Sequence, residues 1–286
     1  MRIRSDIRKA VVFLGHMIGE SFEAAGTGFF IFHDGAGYIV TARHIAEQFD
    51  DDPFYLRLNH NDGKGLNCYC DPLQLAEHHM RWYYPHDPNV DLAAMPMAID
   101  LDKAGADYVV LTTAETVRSG ELPSIDTGDI CSVVGLFSLH PGKGRNTPII
   151  HTGNIAMLPD PAEPIPTNNW RGKGTVNIEC YLVEVSNLQG LSGSPVMIRP
   201  AVALNVPRDG VMEGGLMYSQ RVYLLGIWQG SWEGTSAIGG IQQKRVPVGM
   251  GIVTPTEKLI ELLDSPECMA NRDEHWKGNF HVVPDA

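Results

Sequence analysis

A chain of 286 residues with 43% hydrophobic content is long enough for one large or two small cores, and its 30 glycines and 19 prolines suit short strands joined by turns. The formal net charge of -12, with no Lys/Arg cluster set against it, argues against a nucleic-acid or anionic-membrane surface as partner. No stretch reaches the length of a membrane span, and Met1–Lys9 is followed by only a short apolar run, Ala10 to Leu14, without an evident cleavage site.

In chain order, Lys9 to Gly15 reads as a first strand, and Thr27 to His33 and Tyr38 to Thr41 as a hairpin turning at His33-Asp34-Gly35-Ala36-Gly37. A helical turn from Ala42 to about Gln48 follows, then an acidic breaker at Asp50-Asp51-Asp52-Pro53 and a strand at Phe54 to Leu58. Val90 to Met97 and Tyr108 to Leu111 complete a first group of strands. Thr112 to Asp129 is polar and turn-rich, and the boundary between two halves is placed there. In the second half, strands are expected at Ile130 to Leu136, Ile149 to Leu158, Thr175 to Val185, Val196 to Ile198 and Val222 to Gln229. Pro159 to Lys173 reads as a Pro- and Asn-rich loop, Arg199 to Gln220 as an insertion, and Gly230 to Val246 as a long loop. Thr256 to Asp264 has helical spacing, and Ser265 to Ala286 reads as a polar, loosely packed tail.

The chemistry centres on Gln189-Gly190-Leu191-Ser192-Gly193-Ser194-Pro195-Val196, a tight polar loop between apolar runs. Ser192 is a candidate nucleophile, and the flanking glycines let the amides of Gly190 and Ser192 point into one hollow beside its hydroxyl. Two partners lie upstream. His44 stands at the end of the β-branched run Tyr38 to Thr41, where a base can face a cleft, and Asp91 is a lone carboxylate in the apolar run Val90 to Met95, expected to be partly buried and in need of a partner. Asp87, in His86-Asp87-Pro88-Asn89, is the competing carboxylate, but that run is turn-like.

With these residues, the chain resembles the trypsin-like serine peptidases of the chymotrypsin fold, closest in style to bacterial HtrA/Deg-type and stand-alone cytosolic members. Four segments carry the likeness: Gly26-Thr27-Gly28-Phe29 with Thr41-Ala42-Arg43-His44, then Val90-Asp91-Leu92-Ala93, then Gly190-Leu191-Ser192-Gly193-Ser194-Pro195, and Gly249-Met250-Gly251-Ile252-Val253-Thr254-Pro255. The order His44, Asp91, Ser192 is that of the chymotrypsin-like triad.

The resemblance implies an all-β fold of two six-stranded antiparallel β-barrels and a C-terminal helix. An N-terminal barrel over 1–115 would carry His44 and Asp91, a second over 116–255 Ser192 and the specificity pocket, and 256–286 the helix and tail. It implies a catalytic triad of His44, Asp91 and Ser192, an oxyanion hole from the Gly190 and Ser192 amides, and a substrate pocket at Ser186, Gly230 or Ser231, Gly249 and Met250. With no acidic residue at Ser186, the residue preceding the scissile bond is expected to be uncharged. Leu191 stands where many secreted members carry an Asp, so zymogen cleavage is not expected, and control by ordering of the 159–173 or 230–246 loops is. No PDZ domain is expected after Thr256. Expected partners are a protein or peptide substrate and an activating partner protein, with no nucleic acid, membrane or cofactor.

Three other readings were weighed. His60, Cys68, Cys70, His78 and His79 share one stretch, but Cys-x-Cys is tighter than zinc spacing and a loop of scattered thiols and imidazoles is the better reading, so no metal is expected. The five cysteines are odd in number, and none follows His44 or flanks the Ser192 loop, which favours a reducing cytoplasm. A catalytically silent binding or scaffolding module of the same fold is the alternative function. An α/β-type esterase is disfavoured, because it needs Gly-x-Ser-x-Gly and the order Ser, Asp, His.

Overall fold

The computed structural model describes residues 5–275 except 98, 118–124, 169, 171–173, 187, 209–210, 219–220 and 239–241. The first sheet is built from β1 (Val11–Ile18), β2 (Ser21–His33), β3 (Ala36–Thr41), β4 (Phe54–Asn59), β5 (Gly65–Cys70), β6 (Ala93–Pro96) and the two-residue β7 (Leu111–Thr112). Its strand order is β5-β4-β1-β2-β3-β6, antiparallel throughout, with β7 added parallel to β2. Helix α1 (Arg43–Ala46) follows β3, and α2 (Pro72–Glu77) follows β5 with Asp71 capping its start. The turn between β2 and β3 is the two-residue hairpin that the Asp34-Gly35 pair predicts: both have positive φ, 44° and 84°, as a right-twisting hairpin requires.

The second half carries β8 (Ile130–Gly135), β9 (Ile149–Met157), β10 (Ile165–Asn168), β11 (Thr175–Ile178), β12 (Tyr181–Glu184), β13 (Pro195–Ile198), β14 (Ala201–Arg208), β15 (Val211–Tyr218), β16 (Tyr223–Ile238) and β17 (Gln242–Pro255). Six of these close a barrel in the order β12-β17-β16-β13-β8-β9, and the pairs β10-β11 and β14-β15 form two separate hairpins. Helices α3 (Thr256–Leu263) and α4 (Pro266–His275) end the described chain.

Alternation along the strands explains why they read as continuous apolar runs. In the first sheet Val12, Leu14, Phe30 and Ile39 face one core, with Phe49, Phe54 and Leu56, while Val11, Phe13, Phe29, Ile31, Tyr38 and Val40 face the other side. That other side packs against Val134, Leu136, Met197, Leu224 and Ile227 of the barrel and against Leu259, Leu262, Leu263 and Cys268 of the two helices. Both faces of the first sheet are therefore dry, so neither shows a polar alternation. The barrel interior is a third core around Trp228, Val133, Val183, Val196 and Val253. Each large side chain buried in this way contributes about 1.5–3 kcal/mol.

Several sequence expectations are corrected. The 159–173 loop contains β10, which pairs with β11, and the single strand expected over 175–185 is broken at Glu179-Cys180 into β11 and β12. The 199–220 insertion is the β14-β15 hairpin. Over 230–246 the expected loop is the paired outer arms of β16 and β17, registered from Glu233 against Pro247 to Ile238 against Gln242. Cys68 and Cys70 lie buried on β5, not in a loop, because Leu66, Cys68 and Cys70 alternate with Asn67 and Tyr69. The tail begins as α4, held by Cys268, which is fully buried, and by Arg272, whose guanidinium donates to the Leu263 carbonyl at 2.6 Å.

Candidate active site

Two short-range features aim His44. Strand β3 ends at Thr41, and Ala42 is still extended but its carbonyl already accepts from the amides of Ile45 and Ala46, so α1 begins at once and turns His44 out of the sheet. Strand β6 pairs with β3 in a register that sets Thr41 opposite Ala93, and the residues just before β6 carry Asp91 to the start of α1, where it meets His44. The Asp91 carboxylate accepts at both oxygens: Oδ1 from the His44 backbone amide at 2.9 Å and Oδ2 from His44 Nδ1 at 2.7 Å. The Asp91 side chain is fully buried, whereas the imidazole keeps 27% of its surface exposed. Burial lowers the His44 pKa, but the Asp91 hydrogen bond and charge, aided by Glu47, outweigh it and leave the pKa above the ordinary value of 6.5. Asp87 instead holds its own turn, accepting at its side chain from Asn89 N at 2.9 Å.

The Ser192 loop is locked by backbone. Gly190 and Gly193 have φ of 96° and 84°, a region that disfavours other residues. Gly193 N donates to Trp228 O at 2.8 Å and Ser194 N to Leu191 O at 2.9 Å. A Cβ on Gly193 would lie 2.0 Å from the Thr27 carbonyl, so the loop lies directly on β2. Gln189 O accepts from Ser138 N at 3.0 Å, and because carbonyl and amide point oppositely across a trans peptide, the Gly190 N–H faces away from Ser138. Among the described residues neither Gly190 N nor Ser192 N has a hydrogen-bond partner, so two adjacent donors remain available to a ligand. The Ser192 hydroxyl donates to the Gln229 carbonyl at 3.3 Å and not to His44.

Of the expected pocket residues, Ser186 is exposed just beyond β12, and Gly230 and Gly249 have open space where a Cβ would stand. Met250 is partly buried between them in β17. Gly251 is different: a Cβ there would meet the Trp228 ring at 2.1 Å, so the outer edge of the indole lies directly against this glycine.

Sequence reading missed five participants. Thr27 was part of a motif without a role, and Gln229 supplies the carbonyl that Ser192 uses. Trp170, beyond β10, stands 6.5 Å from His44 between ring centres, and the Arg43 guanidinium lies over both the Trp170 and Tyr84 rings, at 5.8 and 4.6 Å. Thr27, set between two glycines, and Arg43, next to His44, stood in motifs that the sequence shows.

No family model and no curated protein matches the chain. Among solved structures it is similar to the Rv3671c protease from M. tuberculosis in its active form, at 16% identity over 90% of this chain and 80% of that one with a TM-score of 0.46. The inactive form of the Rv3671c protease matches at 16% identity over 90% and 88% with a TM-score of 0.44. The HtrA-type protease AlgW with a decapeptide matches at 14% identity over 93% of this chain and 65% of that one with a TM-score of 0.46. Among the described residues no group of His, Cys, Asp and Glu is arranged to hold a metal ion, and no helix is long and apolar enough to cross a membrane.

Proposed function

We propose that this chain is a serine endopeptidase working through His44, Asp91 and Ser192. One observation carries the reading: a buried carboxylate orients an imidazole at the edge of the first sheet, while the facing serine loop leaves the Gly190 and Ser192 amides unpaired. In the reaction, Ser192 Oγ attacks the substrate carbonyl carbon as His44 Nε2 takes its proton, and Asp91 holds Nδ1–H and stabilises the imidazolium. The two amides bind the oxyanion, each such donor contributing on the order of a hundredfold or more to turnover. Collapse of the tetrahedral intermediate expels the amine, which receives the His44 proton, and water activated by the same imidazole hydrolyses the acyl-enzyme.

Residues 1–115 and 116–255 are read as the two halves of one peptidase unit, with Ser186, Gly230, Gly249 and Met250 around a pocket for an uncharged side chain. Five cysteines, all buried and free, suit a reducing cytoplasm. The Ser192 hydroxyl bond to Gln229, in place of one to His44, suits an enzyme whose final alignment comes with substrate, through the 159–173 segment that carries Trp170.

A fluorophosphonate probe tests this directly. The folded parent should be labelled, and Ser192→Ala and His44→Ala should not. A folded parent that resists labelling with and without casein as substrate would overturn the reading in favour of a binding module.

A further inference from the structure

The residue that joins the two halves of the proposed site is neither base nor nucleophile. Thr27, fully buried in β2, makes four hydrogen bonds, three of them to the second half of the chain. Its amide donates to Ser192 O at 2.9 Å, its hydroxyl donates to Gly190 O at 2.7 Å and accepts from Leu136 N at 2.9 Å, and its carbonyl accepts from Thr41 Oγ1 at 2.7 Å. The hydroxyl thus has one donor and one acceptor role, both used, in a place closed to water. Thr41 lies three residues before His44, so one residue holds the strand that delivers the base and both carbonyls that flank Leu191.

We infer that Thr27 is a positioning residue that sets the oxyanion loop, an inference that rests on the peptidase reading above. Gln189 O is pinned by Ser138 N on one side of Gly190, and Gly190 O by the Thr27 hydroxyl on the other. The Gly190 N–H lies in the peptide plane of Gln189 O, which Ser138 pins, and the Thr27 hydroxyl pins the next plane, so the turn at Gly190 is held from both sides, while the Thr27 amide pins the peptide that follows Ser192. A glycine at φ 96° has no side chain to hold it there, so the orientation depends on these outside bonds. The hydroxyl touches no reacting atom. It stabilises the transition state by keeping a donor aimed before charge develops.

The experiment compares Thr27→Val and Thr27→Ser with the parent, on peptide substrates and a peptide aldehyde, per active site titrated with the fluorophosphonate. Thr27→Val keeps both backbone bonds but leaves Gly190 O and Leu136 N without the hydroxyl. We expect kcat to fall roughly ten- to a hundredfold with KM within about twofold, and the aldehyde, which forms an oxyanion on Ser192, to weaken in step. Thr27→Ser should restore most of the rate. A merely structural role would lower the titrated fraction and the Tm and leave kcat per site unchanged, and that result overturns the inference, as does a rise in KM alone or a Ser variant as damaged as Val. If Thr27→Val does not fold, Thr27→Cys, similar in size with a weaker donor, takes its place with the same criteria. An unlabelled folded parent instead overturns the peptidase reading, and this inference with it.

Discussion

His44 and Asp91 meet at two points, the carboxylate accepting from the ring at 2.7 Å and from the same residue's backbone amide at 2.9 Å. The second bond fixes the carboxylate against the strand end, so the first also fixes the ring tautomer, with the proton on Nδ1 and Nε2 free to act as base. A buried carboxylate with both oxygens hydrogen-bonded to His44 holds the imidazolium form in turn.

The pH dependence follows. A base must be neutral, so kcat/KM should rise with pH through a pKa above 6.5, with burial opposing and Asp91 and Glu47 outweighing it. The stability linkage has the opposite sense: a raised folded-state pKa contributes in full below the unfolded value of about 6.5 and is lost as pH climbs through the folded one. Asp91→Asn should move the acid limb down and cost on the order of 10⁴ in kcat, the loss known for the same change in the chymotrypsin triad. A parental limb at or below 6.5 in the rate profile would contradict this arrangement.

Gly193→Ala should abolish labelling of Ser192. The added Cβ would meet backbone and a short buried side chain, at 2.0 Å from Thr27 O and 2.2 Å from Thr41 Oγ1, at a φ of 84°. Neither neighbour can yield, and a loss of about 1–3 kcal/mol is expected in denaturant unfolding.

Ser194→Ala should be neutral or stabilising by about 1 kcal/mol, because its hydroxyl is fully buried with no hydrogen-bond partner among the described residues. Thermal unfolding of the variant checks this, and a marked drop in Tm would reveal a partner for the hydroxyl.

The thiols should be inert in the folded protein. Burial pushes Cys68 up to about 11 and Cys131 and Cys180 up to about 12, and raises Cys70 and Cys268 as well. A colorimetric disulfide reagent at pH 8 should find almost none of the five in native protein and all of them in denaturant.

Arg272→Ala should unfold α4 from the first sheet at a cost of roughly 1–3 kcal/mol, since the carbonyl of Leu263, now bonded at 2.6 Å, would lose its charged donor. Helical content by circular dichroism, with melting followed at the same wavelength, reads the outcome.

Much of the strand pattern was legible because it is local. The run Tyr38 to Thr41 and the Asp34-Gly35 turn announce a hairpin by β-branching and by a backbone that only a few residues accept, and the β8 and β13 runs stand out in the same way. The outer arms of β16 and β17 were hidden, since Gly-rich sequence reads as a loop until a partner strand lies beside it. Helix α4 was hidden for a related reason: it is polar almost throughout, and among its described side chains only Cys268, Asn271 and Arg272 are buried against the fold.

The sequence alone determined the order His44, Asp91, Ser192, the glycines around the serine and the buried character of Asp91, because each depends on residue type and near neighbours. Tertiary structure alone decided that Thr27 would reach Gly190, 163 residues away, that Gln229 would take the Ser192 hydroxyl, and that Trp170 would stand beside His44. These contacts join backbone groups that every residue carries, or side chains whose spacing is set only when the barrel closes. No composition or periodicity marks them, because their energy comes from partners that the linear chain does not place together.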